Sequence, residues 1–366
     1  MTQTEDWWRR ILCGSEAGEL RAASSDEKYV LLPRASDPRV IVDPSNQQAM
    51  RETMQRFMEN RTGSAAGGLL SEGASRVFAR RRADWTVTSP ETTLRQHLSE
   101  LLGAEVQLTI AVGPPRPNRK PIVRCYVGTE LRAVAKLGPD PHTAAMVINE
   151  GEWLDWLANE PFTEVVTPEV LHRGTFASSE LLVTAPFDAE QSSCEIDQIP
   201  LELNRAVSDR SLSTDPVAQS SWWNGLKDRL DFPELARFAE VAAELSADER
   251  FQSLESSIWH GDWSPWNIGR LSDQRLIIWD WERAADGVPL GFDLLHLHYQ
   301  YGDGIDGALA DLDRLGVPTE NHQVLKAAYF LEILARHHEG GATQGERYAD
   351  LETQLNTVWP LGGSVR

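Results

Sequence analysis

The sequence predicts an α+β protein with two lobes, a small β-rich lobe followed by a larger helical one. Three short β-type runs lie close together in the first half, VQLTIAV (106–112), PIVRCYV (121–127) and LRAVAKL (131–137). Helical patterns then dominate from about residue 190 onwards, and NHQVLKAAYFLEILARHHEGG (321–341) is the strongest late one. Strands that precede helices, without regular alternation of the two, are typical of α+β proteins.

Length and charge limit the functions that fit. The 366 residues exceed the usual size of one hydrophobic core, which favours more than one packed unit. Because 55 Asp and Glu outnumber 35 Lys and Arg, giving a net charge of -20, we do not expect nucleic acid as a partner. The three cysteines, the polar N-terminus and the lack of any apolar window of about 18 residues predict a cytoplasmic protein without a membrane span. The oligomeric state stays open.

Residues 1–88 form an N-terminal α/β extension whose role the sequence does not reveal. YVLLPRASDPRVIVD (29–43) contains two β-type runs around a turn and predicts a hairpin, and residues 44–60 have helical composition. The glycine-rich segment 62–76 is predicted to be a loop. We divide the rest of the chain into a smaller lobe, 89–184, and a helical lobe, 185–366.

The smaller lobe begins with an amphipathic helix at 93–102 that Gly103 ends. The tight turn GTE (128–130) predicts that the second and third strands are antiparallel neighbours. Lys136 lies in the third strand, and Glu150 lies on the apolar stripe of the next helix. Either these two side chains pair, or Lys136 extends to solvent and Glu150 occupies the edge of the stripe.

A further strand is predicted in SSELLVTAPFD (178–188), and Pro186 ends it. We expect this break to be a hinge between the two lobes.

The segment WHGDWSPWNIG (259–269) carries the clearest chemical pattern. Asp262 and Asn267 lie five residues apart in a loop-forming context, and Asp280 follows thirteen residues after Asn267 at the end of the apolar run LIIW. A hairpin over 267–280 would bring Asp280 back beside Asn267. Amide and carboxylate oxygens suit Mg²⁺, which leaves Asp262 to act as a base.

These residues carry a resemblance to a known family. HGDWSPWN, with WDWE thirteen residues after Asn267, resembles the signature of the aminoglycoside phosphotransferase and choline kinase-like family, a relative of the protein kinases. The spacing of Asp262 and Asn267 is that of the kinase catalytic loop H-R-D-x-x-x-x-N. The resemblance covers roughly residues 95 to 340. It implies a protein-kinase-like fold and an ATP-dependent kinase, or one that uses GTP, which phosphorylates a hydroxyl of a small molecule.

The resemblance also implies roles for individual residues. Asp262 would be the catalytic base, and Asn267 and Asp280 would hold Mg²⁺. Lys136 would bind the α and β phosphates of the nucleotide, and Glu150 would orient Lys136. The remaining implied roles are structural support from His260 and Asp293 and adenine contact through the backbone of Thr184, Ala185 and Pro186.

The sequence departs from the family pattern at two places. The loop GPPRPNRKP (113–121) has one glycine and three prolines before its last residue, so it does not match a glycine-rich phosphate loop. Its basic residues Arg116, Arg119 or Lys120 supply charge there, or else the loop is simply solvated. Position 264 is Ser, where protein kinases have lysine and many family members have histidine.

The acceptor stays open among sugars, aminoglycosides and amino alcohols. Among the clustered tryptophans, Trp263 and Trp266 are candidates for substrate contact through their aromatic faces. The alternatives are a pseudokinase-like nucleotide-binding module without transfer activity and a protein kinase of the same fold. The short interval between Asp280 and Asp293 leaves little room for an activation segment and favours a small molecule.

Overall fold

The computed structural model contains two compact units, Met1–Glu152 with Pro168–Phe187 and Trp153–Thr167 with Asp188–Arg366. It describes residues 3–14, 19–21, 27–32, 38–46, 48–49, 51–52, 85–89, 91–113, 118–160, 165–187, 189–190, 201–209, 213, 215–302, 304–343 and 345–360. The predicted loop 62–76 and residues 114–117 of the proline-containing loop 113–121 therefore lie outside the described residues.

The elements of the described residues are numbered in chain order. The strands are β1 (Glu19–Arg21), β2 (Glu27–Leu32), β3 (Val40–Val42), β4 (Trp85–Thr88), β5 (Gln107–Val112), β6 (Pro121–Val127), β7 (Glu130–Gly138), β8 (Val165–Val166), β9 (Val170–Phe176), β10 (Ser179–Thr184), β11 (Ala189–Glu190), β12 (Ser256–Trp259), β13 (Ile268–Leu271), β14 (Leu276–Ile278) and β15 (Ala285–Pro289). The α-helices are α1 (Gln3–Cys13), α2 (Leu94–Leu102), α3 (Pro141–Leu157), α4 (Leu201–Ser208), α5 (Ser221–Leu230), α6 (Ala236–Ala247), α7 (Glu249–Gln252), α8 (Phe292–Tyr301), α9 (Leu309–Leu315), α10 (His322–Glu339) and α11 (Glu346–Val358).

The first unit is built on one antiparallel sheet in the order β1-β4-β2-β3-β5-β6-β7-β10-β9. The predicted hairpin of β2 and β3 forms, with Val30 opposite Val42, and so does the antiparallel pair of β6 and β7. Strands β1 to β4 all come from the segment 1–88 and continue the sheet beyond β5. That segment therefore belongs to the same unit as the strands that follow it.

The core of the first unit follows from alternation along its strands. Leu108, Ile110 and Val112 of β5 are buried on one face and join Ala135 and Leu137 of β7 in one cluster. Helices α1 and α2 pack on this cluster. The predicted limits of α2 are also found, since a capping box at residue 93 begins it and a left-handed glycine at 103 ends it.

The second unit is mainly helical. Its strands form a small sheet in the order β11-β13-β14-β8 and a separate pair, β12 and β15. Helix α10 is buried over most of Val324 to Ala335, and its apolar residues belong to the core cluster of this unit. It ends at Gly340, as the sequence predicts.

Two further sequence predictions have partial outcomes. Of the predicted helix 44–60, residues 48–49 and 51–52 are helical, 44–45 form a turn, and most of the remainder lies outside the described part. Among the residues that the structure describes, no helix combines the length and apolar character that a membrane span requires.

Candidate active site

The first unit holds a buried ion pair between Lys136 of β7 and Glu150 of α3. The lysine Nζ lies 2.6 Å from both carboxylate oxygens, and Glu150 is 2% exposed. The neighbours Ala135 and Leu137 belong to the core cluster on the other face of the sheet, so alternation directs Lys136 away from it. Of the two arrangements that the sequence left open, the structure therefore shows the one in which Lys136 and Glu150 pair.

In the second unit, β13 and β14 form the predicted hairpin, which places Asn267 beside Asp280. Ile268 pairs with Ile278, and the next backbone hydrogen bond runs from the Trp279 N–H to the Asn267 carbonyl at 3.1 Å. Asp280 then adopts a left-handed backbone conformation with φ of 71°. Such conformations are uncommon outside glycine and recur at functional sites.

Asp262 lies between Asn267 and a histidine that the sequence did not predict as a partner. The Asn267 amide nitrogen donates to the Asp262 carbonyl at 3.0 Å and to its Oδ2 at 3.1 Å. Because the nitrogen is used in this way, the amide oxygen is the atom of Asn267 that can act as a metal ligand. The Asp262 side chain keeps 31% of its surface exposed, so the carboxylate is accessible to another molecule.

The second neighbour of Asp262 is His296 of α8. Its Nε2 lies 3.4 Å from Oδ1 of Asp262, and its Nδ1 lies 3.2 Å from the Tyr329 hydroxyl. Burial lowers the pKa of His296, which favours the neutral ring beside Asp262 and the Tyr329 hydroxyl. Burial alone would raise the pKa of Asp262, but the hydrogen bond to His296 and the interactions with the His296 and His260 rings together outweigh it and hold that pKa below its ordinary value. Asp262 is therefore a carboxylate at neutral pH.

The loop that carries Asp262 is fixed through its backbone N–H groups by Asp293. The buried Asp293 carboxylate accepts from His260 N at 2.7 Å and from Gly261 N at 3.2 Å. Burial raises the pKa of Asp293 to about 6, although the neighbouring His260 ring and these two hydrogen bonds oppose the shift. The His260 ring extends the support, since its Nε2 lies 2.9 Å from the Trp279 carbonyl, next to Asp280.

The same loop is held through a carbonyl by Arg336 of α10. The guanidinium donates to the Gly261 carbonyl at 2.6 Å and lies 4.4 Å from the centre of the Trp259 ring. It also donates to Glu332 at 2.7 Å, and Glu332 accepts two further bonds from Arg229 at 2.9 and 3.2 Å. A network of Arg336, the buried Glu332 and Arg229 therefore holds the loop through a backbone carbonyl. Asp293, by contrast, holds it through backbone N–H groups.

Small-molecule kinases are among the solved structures that resemble the chain. Choline kinase LicA from Streptococcus pneumoniae matches with a TM-score of 0.50 and 13% identity, over 72% of this chain and 98% of that one. A thermostable mutant of the aminoglycoside phosphotransferase APH(4)-Ia, in a complex with ADP and hygromycin B, matches with a TM-score of 0.48 and 14% identity, over 72% and 97% of the two chains. No protein-family model matches the sequence, and no curated protein matches it significantly.

The match to the choline kinase decides the architecture. The chain has a protein-kinase-like fold. The prediction of a small antiparallel lobe and a larger helical lobe is therefore confirmed, as is the resemblance on which it rested, at the level of fold.

The burial of Trp263 corrects the expectation that this residue contacts a substrate. Trp263 was a candidate for substrate contact, but it is fully buried and packs with its edge towards the His260 ring, 5.9 Å away. It therefore offers no surface to a substrate. Trp266 is 51% exposed and packs edge-on against Tyr301 at 4.3 Å, so it is the candidate of the two that presents an aromatic face.

The hinge predicted to meet adenine has few backbone donors. The Ala185 N–H already donates to the Glu169 carbonyl at 2.8 Å, and Pro186 has no N–H. Thr184 lies in the ladder with β7 and β9, opposite Val134 and Val170. A base bound at these three residues would therefore rely mainly on their carbonyl oxygens, which accept hydrogen bonds from an exocyclic amine.

Ser264 does not replace the lysine that protein kinases have at this position in the kinase-like fold. Its side chain is fully buried, so it presents no group to a phosphate.

Sequence reasoning missed three supporting residues, His296, Glu332 and Arg336. His296 comes one helical turn after Asp293, which places both on one face of α8, and this spacing is a usable signal. Glu332 and Arg336 are four residues apart and flank the apolar run Ile333–Ala335, a pattern that indicates a buried ion pair. Neither signal identifies the distant loop that these side chains contact.

Gly261 is the position where the loop that carries Asp262 depends most directly on glycine. Its φ is 82°, and a Cβ there would collide with the Arg283 carbonyl oxygen. We expect Gly261→Ala to lower the free energy of unfolding by about 2 kcal/mol or more, measured by urea denaturation. Gly128→Ala is the matched control, because Gly128 has a φ of 60° and no atom within 4 Å of the added Cβ. Equal losses in the two variants would contradict the proposed collision.

Proposed function

We propose that the protein is an ATP-dependent phosphotransferase that moves the γ-phosphate to a hydroxyl of a small molecule. The observation that carries the proposal is the arrangement of Asp262, Asn267 and Asp280, in which an accessible, ionised carboxylate adjoins two oxygen ligands on one loop and hairpin. Phosphoryl transfer needs a positioned acceptor and neutralised charge more than covalent catalysis, and this arrangement suits that need.

In the proposed reaction, Asp262 accepts the proton of the acceptor hydroxyl. The hydroxyl oxygen forms a bond to the γ-phosphorus, the bond from that phosphorus to the β,γ-bridging oxygen breaks, and ADP leaves. The hydrogen bonds from Asn267 and His296 fix the rotamer of Asp262 while its exposed edge receives the proton. His260, Asp293 and Arg336 support the backbone that carries this carboxylate.

The residues present fit Mg²⁺, which the fold family implies. The amide oxygen of Asn267 and the carboxylate of Asp280 are hard oxygen ligands, and two protein ligands are enough for an ion that keeps water and phosphate oxygens in its shell. When bound, the ion neutralises phosphate charge during the transfer. The backbone strain at Asp280 is consistent with a residue whose position matters for function.

The nucleotide-binding part of the proposal rests on the first unit. Lys136, held by Glu150, supplies a cation for the α and β phosphates, and the backbone of residues 184–186 meets the base. A small-molecule acceptor is supported by the short stretch between Asp280 and Asp293 and by the fold shared with a choline kinase. The exposed Trp266 and the acidic net charge favour a neutral or cationic acceptor with an apolar or ring-shaped face.

The proposal is tested by screening the purified full chain with MgATP against a panel of hydroxylated metabolites. The panel includes aminoglycosides, amino alcohols, monosaccharides and hydroxylated amino acids, with ADP release as the readout and Asp262→Ala protein as the blank. We expect at least one acceptor to stimulate ADP release well above that blank. ATP binding without acceptor-dependent release would instead favour a nucleotide-binding module without transfer activity.

A further inference from the structure

The loop from Asp262 to Asn267 folds back on itself, which brings Trp266 close to Asp262. Asn267, the residue after Trp266, donates to the Asp262 carbonyl at 3.0 Å and to its Oδ2 at 3.1 Å. Neighbouring Cα atoms are only about 3.8 Å apart, so Trp266 shares this closeness. It is 51% exposed, whereas Trp263 of the same loop is fully buried. The loop therefore presents one accessible indole next to the proposed base.

Tyr301, at the end of helix α8, is the second aromatic residue at this place. Its ring packs edge-on against Trp266, with ring centres 4.3 Å apart. Burial raises the pKa of Tyr301, and the charge of Asp262 raises it further, so the hydroxyl lies near that carboxylate and stays protonated at neutral pH. Tyr301 is half-buried, and its hydroxyl has no hydrogen-bond partner in the part of the chain that the structure describes. This hydroxyl can therefore donate to a ligand.

The charges around the aromatic pair are of both signs, although the whole chain has a net charge of -20. Burial raises the pKa of Tyr301, and the charge of Arg347 opposes that rise. Burial lowers the pKa of His296, and the charge of Arg283 adds to that effect. Asp280 also lies near the base, but the proposed Mg²⁺ would offset its charge. A cationic acceptor would be repelled by the two guanidinium groups and would pair with the base, so local charge favours a neutral acceptor.

We propose that Trp266 and Tyr301 form the binding platform for the acceptor, and that the acceptor is a neutral, ring-shaped polyol such as a monosaccharide. This inference rests on the proposed function, whose acceptor class it narrows. The C–H face of the ring would lie on the exposed indole. One ring hydroxyl would accept a hydrogen bond from Tyr301, and another would reach Asp262. An acyclic amino alcohol has no such face and carries the charge that these surroundings disfavour.

The first test scores the acceptors of the metabolite screen by class, with the full chain, MgATP and ADP release as the readout. Matched pairs separate charge from shape: D-glucose and D-galactose are neutral rings, glucosamine and galactosamine are their cationic counterparts, and choline and ethanolamine are acyclic amines. We expect the highest kcat/KM with a neutral ring, about tenfold or more above that of its amino counterpart. A charged or acyclic best acceptor would overturn the inference and leave the proposed function standing.

The second test uses the best acceptor of the screen and substitutions at Trp266. Trp266→Leu is expected to raise the KM for the acceptor about tenfold or more while kcat stays within about threefold, because a binding contact is lost. Trp266→Phe keeps an aromatic face, so its KM is expected to stay within about threefold of wild type. Phe232→Leu is the matched control, since Phe232 is 48% exposed in the same unit and packs against His338. No change is expected there.

Tyr301→Phe removes only the hydroxyl and keeps the ring that packs against Trp266. The KM for the acceptor is expected to rise about threefold to tenfold, because one hydrogen bond is lost. This variant decides the question if Trp266→Leu does not fold. Unchanged KM in Trp266→Leu or in Tyr301→Phe, or equal losses in the two Trp266 variants, would overturn the platform. If no acceptor stimulates ADP release above the Asp262→Ala blank, the proposed function fails and this inference fails with it.

Discussion

Asp262→Asn is expected to reduce turnover by about a thousandfold or more while ATP affinity stays within about twofold, because a general base is lost and the nucleotide contacts remain. The substitution keeps the size of the side chain. Its amide oxygen still accepts from Asn267, whose nitrogen lies 3.1 Å from Oδ2 of Asp262. The amide cannot take the proton of the acceptor hydroxyl, so the effect is expected in kcat.

The matched control for this prediction is Asp273→Asn. Asp273 lies in the turn between β13 and β14 of the same hairpin, is exposed, and pairs with Arg275 at 2.7 Å. A surface pair of this kind contributes little, so near wild-type kcat and ATP affinity are expected. Steady-state kinetics with the acceptor found in the metabolite screen provide the measurement. Wild-type kcat in Asp262→Asn would show that another group is the base.

The central part of the candidate site could be predicted because its residues are close in sequence. Asp280 follows Asn267 by thirteen positions, and a hairpin is the simplest backbone path that fits this spacing and the apolar run LIIW that ends before Asp280. The pairing of Lys136 with Glu150 could also be predicted as one of two alternatives, since Lys136 lies in a short strand and Glu150 on the apolar stripe of the next helix. In both cases local periodicity fixes the direction of the side chains.

The contacts that support the loop could not be predicted in this way. Arg336 is 75 residues from Gly261, and Tyr329 is 33 residues from His296, so their contacts depend on how helices pack in the core. Burial of Trp263 has the same origin, because aromatic residues in a loop are buried only when other elements cover them. The place of β1 to β4 in the sheet likewise depends on pairing between β3 and β5, which the predicted hairpin does not specify.

The ion-pair network around the buried Glu332 makes the free energy of unfolding depend on pH in the acid range. Burial alone would raise the pKa of Glu332, but the charges of Arg229 and Arg336 outweigh it and lower that pKa to about 2. Because the folded pKa lies below the ordinary value of 4.5, the ionised form stabilises the fold. This contribution is fully present above the ordinary value and is lost as the pH falls from there through about 2.

Glu332→Gln is accordingly expected to lower the free energy of unfolding at pH 7 by about 3 to 5 kcal/mol, because two partly buried guanidinium groups then lack the buried carboxylate between them. Glu339→Gln is the control on the same helix, since Glu339 also pairs with Arg229, at 2.6 Å, but is 37% exposed. Exposed pairs contribute about 0 to 1 kcal/mol, so a small loss is expected there.

Urea denaturation at several pH values measures both variants. The Glu332→Gln deficit should shrink as the pH falls below 4.5, where the wild-type chain progressively loses the same charge. Equal losses in the two variants, or a deficit independent of pH, would show that burial rather than charge governs this part of the core.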